Sequence, residues 1–258
     1  MTAPISATDA TAGALTEDRL LGGRVRLLQP RDGYRAAVDP VLLAAACPAR
    51  PGQSVLDMGI GTGAASLALA ARVTDLQLIG LEWRPETAQL ARRNMALNDI
   101  AAAIAVGDAK RPPLPPESVD HVLTNPPFAS GGTLPPDPGR ASAHVEGATD
   151  LADWLKGCLR CLRPRGWLTL IHRADRLDDV LAGLHRQCGA VTVIPLWPRA
   201  GEPARRVIVR ARKGVRSPAV LQPGLVLHAA DTKYTAAAEA VLRDAAPLFP
   251  DPPGAARS

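Results

Sequence analysis

The sequence predicts an α/β fold, a doubly wound, mostly parallel sheet of seven strands with helices on both faces, and three observations carry the prediction. Short apolar runs alternate with longer segments whose apolar residues recur at helical spacing. A glycine-rich turn, Gly59-Ile-Gly-Thr-Gly63, joins the first core run to an alanine-rich segment. Asp57, Gly59, Glu82, Asp108 and Asn125 then follow in regular order at the carboxyl ends of successive runs, where open α/β sheets bind ligands.

The elements follow in chain order. Residues 1–18 lack a basic start and a continuous apolar stretch, so they read as a disordered tail and not as a secretory signal. A single domain is expected over 19–246, with its core at about 50–212. Residues 24–29 supply a short strand before a turn at 34–39, and 41–47 a helix packed near the ligand. Strands are expected at 53–58, 77–82, 102–106, 118–124, 166–172, 191–197 and 205–212, with helices at 64–72, 85–97, 150–162 and 175–188. Residues 225–246 add a strand and a helix, and the prolines of 247–258 leave a flexible tail.

Composition narrows the class. At 258 residues and 47% hydrophobic, the chain can bury one sizeable core, yet its longest clean apolar run, 41–47, is too short to span a bilayer. Cys158 and Cys161 form a C-x-x-C pair, but they lie at helical spacing on an apolar face, and neither a second pair nor an adjacent histidine completes a metal site. All four cysteines are expected as thiols in a cytoplasmic protein, with no structural metal.

Chemistry concentrates in Asn125-Pro126-Pro127-Phe128, directly after a strand-like run. A planar exocyclic amine is a poor nucleophile because its lone pair is delocalised into the ring. The Asn125 side-chain oxygen and the Pro126 carbonyl can each accept one amine hydrogen, localising and directing that lone pair without a strong base. Two prolines stiffen the turn, and Phe128 offers a face for stacking. The alternative is an ordinary proline turn, in a chain that holds 25 prolines.

The glycine loop leaves two cofactors open. Gly59, Gly61 and Ala64 satisfy a relaxed dinucleotide pattern, and Glu82 follows where a ribose-binding acid belongs. Asp57 favours S-adenosyl-L-methionine, because a carboxylate there suits a cationic amino-acid end and repels pyrophosphate.

This order of residues resembles the class I S-adenosylmethionine-dependent methyltransferases, with Asn-Pro-Pro-[Tyr/Phe] marking the branch that acts on amino or amide nitrogens. The resemblance spans about residues 24–212 and implies a Rossmann-like sheet whose seventh strand enters antiparallel between the fifth and sixth. The stretch from Asp32 to Leu43, Asp-Gly-Tyr-Arg-Ala-Ala-Val-Asp-Pro-Val-Leu-Leu, looks like the segment before the first strand in bacterial tRNA adenine-N6 methyltransferases acting on a valine tRNA, beside the anticodon. Residues 140–146, 225–228 and Tyr234-Thr235 add weaker support. The chain departs from many members at Phe128, in place of Tyr, and at 198–201.

The resemblance implies that Asp57, Gly59, Gly61 and Gly63 position the methionine part of S-adenosyl-L-methionine and that Asp39 closes that end. Glu82 binds the ribose hydroxyls, Asp108 receives the cofactor adenine, and Asn125 faces both cofactor and acceptor. Glu82 can instead cap the following helix, and Asp108 can serve its own turn. Protein glutamine-amide methyltransferases share the motif but normally carry a helical domain before the core, where this chain has some fifty residues before Asp57. Ribosomal RNA or DNA base methyltransferases, and a non-catalytic RNA-binding relative of the fold, are further alternatives.

A net charge of +5 favours a polyanionic partner. Between Arg199 and Arg216 lie seven basic residues, including Arg205, Arg206, Arg210 and Arg212, and one acid, Glu202. They read as phosphate contacts to tRNA, or as the exposed face of a strand, shared with Ile208, whose Val207 and Val209 point inward. Arg24, Arg26, Arg31 and Arg35 form a second basic group, and Arg140 and His144 follow the proline turn. At 3% aromatic content, base stacking is expected at Phe128 and not on an extended platform.

Overall fold

The computed structural model describes residues 15–31, 38–127 and 151–248. Phe128, Tyr34, Arg35, Arg140, His144 and the prolines of 135–138 lie outside them.

The described residues begin with an antiparallel hairpin, β1 (Leu15–Leu20) and β2 (Val25–Pro30). Residues 15–18 therefore belong to a strand, which corrects their assignment to the N-terminal tail. Thr16, Glu17 and Asp18 form no apolar run, so pairing supplies what local sequence lacks. Glu17 holds Arg26 at 2.9 Å, and the Gln29 amide donates to Asp18 at 2.7 Å.

Next come α1 (Asp39–Ala46), β3 (Ser54–Met58), α2 (Ala64–Ala70), β4 (Gln77–Glu82), α3 (Pro85–Leu97), β5 (Ala102–Val106) and β6 (Val119–Thr124). After the undescribed stretch follow α4 (Leu151–Cys161), β7 (Leu162–Arg173), α5 (Leu177–Leu184), β8 (Cys188–Trp197) and β9 (Arg206–Lys213). The short β10 (Val220–Leu221) and β11 (Leu225–Val226), then α6 (Ala236–Asp244), complete it.

Strands β3 to β11 form one sheet in the order β10-β8-β9-β7-β6-β3-β4-β5, with β11 also on β8. Every pairing in it is parallel except those of β9, which runs antiparallel between β7 and β8. The seven expected strands are all present, and two two-residue strands extend the β8 edge to make nine. β11 is the strand expected at the start of 225–246, whereas β10, two residues long, carries no periodicity from which it could be predicted.

Alternation along each strand divides the core between the two faces. Val55, Leu123, Ile171, Ile194 and Ile208 face α1, α2, α3 and α6. Leu56, Met58, Val122, Leu168, Leu170, Val207 and Val209 face α4 and α5. Both faces of β9 are thus covered, and Ile208 is fully buried instead of lying on an exposed face. Cys158 and Cys161 lie buried in α4, where burial pushes both thiols up, away from the thiolate form that metal or redox chemistry needs. Among the described residues, no helix is long and apolar enough to cross a membrane.

Helix α1 is held against β9 at both ends. Arg206 pairs with Asp39 in its first turn at 3.1 Å, and the Arg210 guanidinium donates to the Ala46 carbonyl at its end at 3.4 Å. Eight helical residues rise about 12 Å and four strand residues span about 13 Å, so the spacing of the two arginines matches the helix. Arg72 adds a donor to the carbonyls of Ala44, at 3.0 Å, and Cys47.

Two asparagines four residues apart, Asn94 in α3 and Asn98 at its C-cap, stand in for a strand beside β2. The Asn98 side chain accepts from the Arg26 N–H at 2.8 Å and donates to its carbonyl at 2.7 Å. Fully buried Asn94 does the same for Leu28, at 2.8 and 2.9 Å, and also donates to the Thr62 carbonyl of the glycine loop at 2.8 Å. Asn94→Ala leaves these backbone groups without partners. It is expected to destabilise by about 3 kcal/mol, a fall of about 10 °C in a thermal melt; a shift under about 3 °C would show that water replaces the amide.

Candidate active site

The site is built at the carboxyl ends of four adjacent strands, β6, β3, β4 and β5, across about 14 Å of sheet edge. Asp57 is buried near the end of β3 and accepts the Ser66 hydroxyl of α2 at 2.7 Å. Burial pushes its carboxyl up to about 6, with Ser66 opposing and nearby Glu82 adding to the shift.

The chain then turns through Gly59 and Gly61, whose φ angles of 76° and 56° are left-handed. The N–H groups of Gly59 and Ile60 both donate to the Leu81 carbonyl, at 2.8 and 3.0 Å, tying the loop to β4. A Cβ on Gly59 would lie 2.9 Å from the Trp154 ring, and one on Gly63 would lie 2.8 Å from Met95 Cε. A Cβ on Gly61 would meet nothing within 4 Å, which leaves bare backbone facing open space.

Glu82 ends β4, is 5% exposed and turns its carboxylate back over this loop. One oxygen accepts the Gly61 N–H at 3.1 Å and the other the Arg84 N–H at 3.2 Å, just before α3. Asp108 follows β5 and accepts the Lys110 N–H at 2.9 Å, so its turn is formed by its own side chain. Beyond β6, Asn125 is half-buried, Pro126 buried and Pro127 exposed. Thr124 precedes them, fully buried, donating its hydroxyl to the Met58 carbonyl at 2.7 Å and accepting the Trp154 indole N–H at 2.9 Å.

Asp57, Gly59, Gly61, Gly63, Glu82, Asp108 and Asn125 thus gather on one edge. Asp39 is paired with Arg206, an association across 167 residues that no local signal announces. Ser66, Thr124 and Trp154 were not singled out by sequence, where they read as small or apolar helix and strand residues. Among the basic residues, Arg206 and Arg210 are engaged with α1, while Arg212 lies over the Trp167 ring at 5.2 Å and donates to the Arg165 carbonyl at 3.1 Å. Arg205 is exposed. Arg24 donates to the Asp244 carbonyl at 2.7 Å, and Arg26 is paired within the hairpin.

A buried carboxylate under an open glycine loop, a second carboxylate one strand away and an antiparallel strand set into a parallel sheet define an S-adenosylmethionine-dependent methyltransferase. These residues fit that cofactor: Gly61 allows close approach, and the acids suit a cationic amino-acid end and a ribose diol. The methyltransferase small domain family matches residues 37–188, and the chain belongs to it. A tRNA1(Val) (adenine(37)-N6)-methyltransferase of Aeromonas hydrophila is 30% identical over 211 residues, 80% of this chain and 87% of the relative. A release factor glutamine methyltransferase of Aliivibrio fischeri is 30% identical over 137 residues, 50% of this chain and 48% of the relative. The crystal structure of a predicted O-methyltransferase from Agrobacterium tumefaciens superposes with a TM-score of 0.66 at 25% identity, covering 79% of this chain and 94% of that one. The methyl donor is S-adenosylmethionine.

Proposed function

We propose that the protein methylates the exocyclic N6 amine of an adenine in tRNA, adenine 37 beside the anticodon. The observation that carries this reading is the Asn125-Pro126 turn one strand from the cofactor loop, with Met58 and Thr124 in register. The Aeromonas relative, matched over 87% of its length, supports the choice of acceptor. The release factor methyltransferase is matched over 48% of its length, which favours RNA over a glutamine amide.

When bound, the cofactor supplies a sulfonium-activated methyl group. Asp57 and the Gly59–Gly63 loop hold its amino-acid end, Glu82 its ribose hydroxyls and Asp108 its adenine, with Asp39 bordering the methionine end. The extruded target base stacks on Phe128. Asn125 Oδ1 and the Pro126 carbonyl accept the two N6 hydrogens, so the lone pair points at the methyl carbon, and Pro127 stiffens the turn. The proton leaves afterwards to water, and alignment carries most of the rate. Exposed Arg205 is a candidate phosphate contact, whereas Arg206, Arg210 and Arg212 already have intramolecular partners. The free thiols suit a reducing cytoplasm.

The test incubates the protein with labelled S-adenosylmethionine and separate pools of unmodified tRNA, ribosomal RNA and protein, then digests labelled RNA to nucleosides for mass spectrometry. N6-methyladenosine from the tRNA pool is expected. Label confined to protein or to ribosomal RNA would replace the reading.

A further inference from the structure

We propose that Trp154 is a positioning residue that sets the distance between methyl donor and acceptor by clipping the cofactor loop to the Asn125 turn. The inference rests on Asn125 gripping the acceptor amine.

Transfer needs the cofactor loop and the Asn125 turn to hold their spacing within a fraction of an ångström. β3 and β6 are neighbouring parallel strands, but their ladder ends at Met58 and Thr124, one residue short of both Gly59 and Asn125. Among the described residues, the link beyond that ladder is made by side chains. The Thr124 hydroxyl donates to the Met58 carbonyl at 2.7 Å, and the Trp154 indole N–H donates to that hydroxyl at 2.9 Å. With its one proton given to Met58, Thr124 Oγ1 can only accept from Trp154, so the direction of the chain is fixed.

The six-membered ring of the same indole, along the edge that adjoins this N–H, lies against the cofactor loop. Cζ2 and Cη2 both sit 2.9 Å from where a Cβ on Gly59 would be, so the ring buttresses the first glycine. Trp154 is 7% exposed and Thr124 fully buried, so water does not compete for these bonds. One rigid side chain thereby touches the last fixed point of each half-site, and α4 brings it there from the face opposite α1 and α2.

Trp154→Phe keeps an apolar ring and removes the N–H. In the full-length protein, kcat is expected to fall about 10- to 30-fold, the loss a sub-ångström misalignment produces, while KM for S-adenosylmethionine stays within about threefold. Amide exchange in the cofactor-bound protein, read residue by residue by NMR, should accelerate about tenfold at Gly59–Gly63 and at Asn125 together. Thr124→Val removes the centre of the clip and should reproduce both effects, and the double variant should be no worse than Thr124→Val alone. A kcat within twofold of wild type, or faster exchange spread along α4 instead of confined to the two segments, would overturn the proposal. Label found on protein instead of RNA sinks the adenine reading alone, and kcat is then compared on that acceptor. If the wild type labels no acceptor, the exchange comparison decides.

Discussion

Asn125→Ala is expected to slow methyl transfer by about 10³-fold while weakening S-adenosylmethionine binding by less than about fivefold. The asymmetry follows from the layout of the sheet edge. In the proposed reading, three strand ends, β3, β4 and β5, face the cofactor, while the β6 turn presents an acceptor to the amine. Without the Asn125 oxygen, one N6 hydrogen loses its partner and the lone pair relaxes back into the ring. The buried Pro126 carbonyl alone does not fix its direction. Single-turnover rates with saturating cofactor separate this effect from binding, which calorimetry measures independently. Transfer within tenfold of wild type would remove Asn125 from the chemistry.

Asp57→Asn is expected to make the protein more stable and nearly unable to bind its cofactor. The buried Asp57 carboxyl sits at about 6, above its unfolded value, so the folded state holds the extra proton between about pH 4 and 6. The sign is then fixed: Asp57 destabilises the fold increasingly as pH rises through that window, by up to about 3 kcal/mol at pH 7. Asparagine removes the burden of a buried charge but can still accept the Ser66 hydroxyl, so a net gain of about 1–2 kcal/mol is expected at pH 7 and none at pH 4. The same change deletes the charge that the proposed reading sets against a cationic amino group, and affinity should drop at least 100-fold. Melting curves of both proteins across pH 4–8 provide the check. A variant less stable than wild type at pH 7 would mean that the carboxylate is compensated within the fold.

The core strands and helices were legible because buried parallel strands read as continuous apolar runs and helices as periodic ones. Ranges such as 77–82 and 85–97 coincide with β4 and α3. The antiparallel insertion of β9 came from resemblance, since periodicity carries no strand order. β1 was missed because pairing, not composition, makes Thr16–Asp18 a strand. The basic stretch after Arg199 was read as one surface, yet residue alternation turns Arg206 and Arg210 toward α1, and that depends on which helix covers β9. The glycine loop and the acids after β3, β4 and β5 declare themselves by spacing. The bonds that connect them do not: Thr124 to Met58 bridges 66 residues and Trp154 to Thr124 bridges 30, with no local trace.

The anchoring of α1 has a consequence for synthesis of the chain. Its two arginine partners on β9 lie 167 and 164 residues downstream, and Arg24 waits across 220 residues for the end of α6. A helix that leaves the ribosome ahead of the whole central sheet is therefore among the last elements to be secured. Until β9 emerges, the apolar residues Val41 to Ala46 of α1 have only their early neighbours to shelter them. Nascent chains stalled before residue 206 should thus expose this helix to proteases and chaperones, and release of the next few dozen residues should close it.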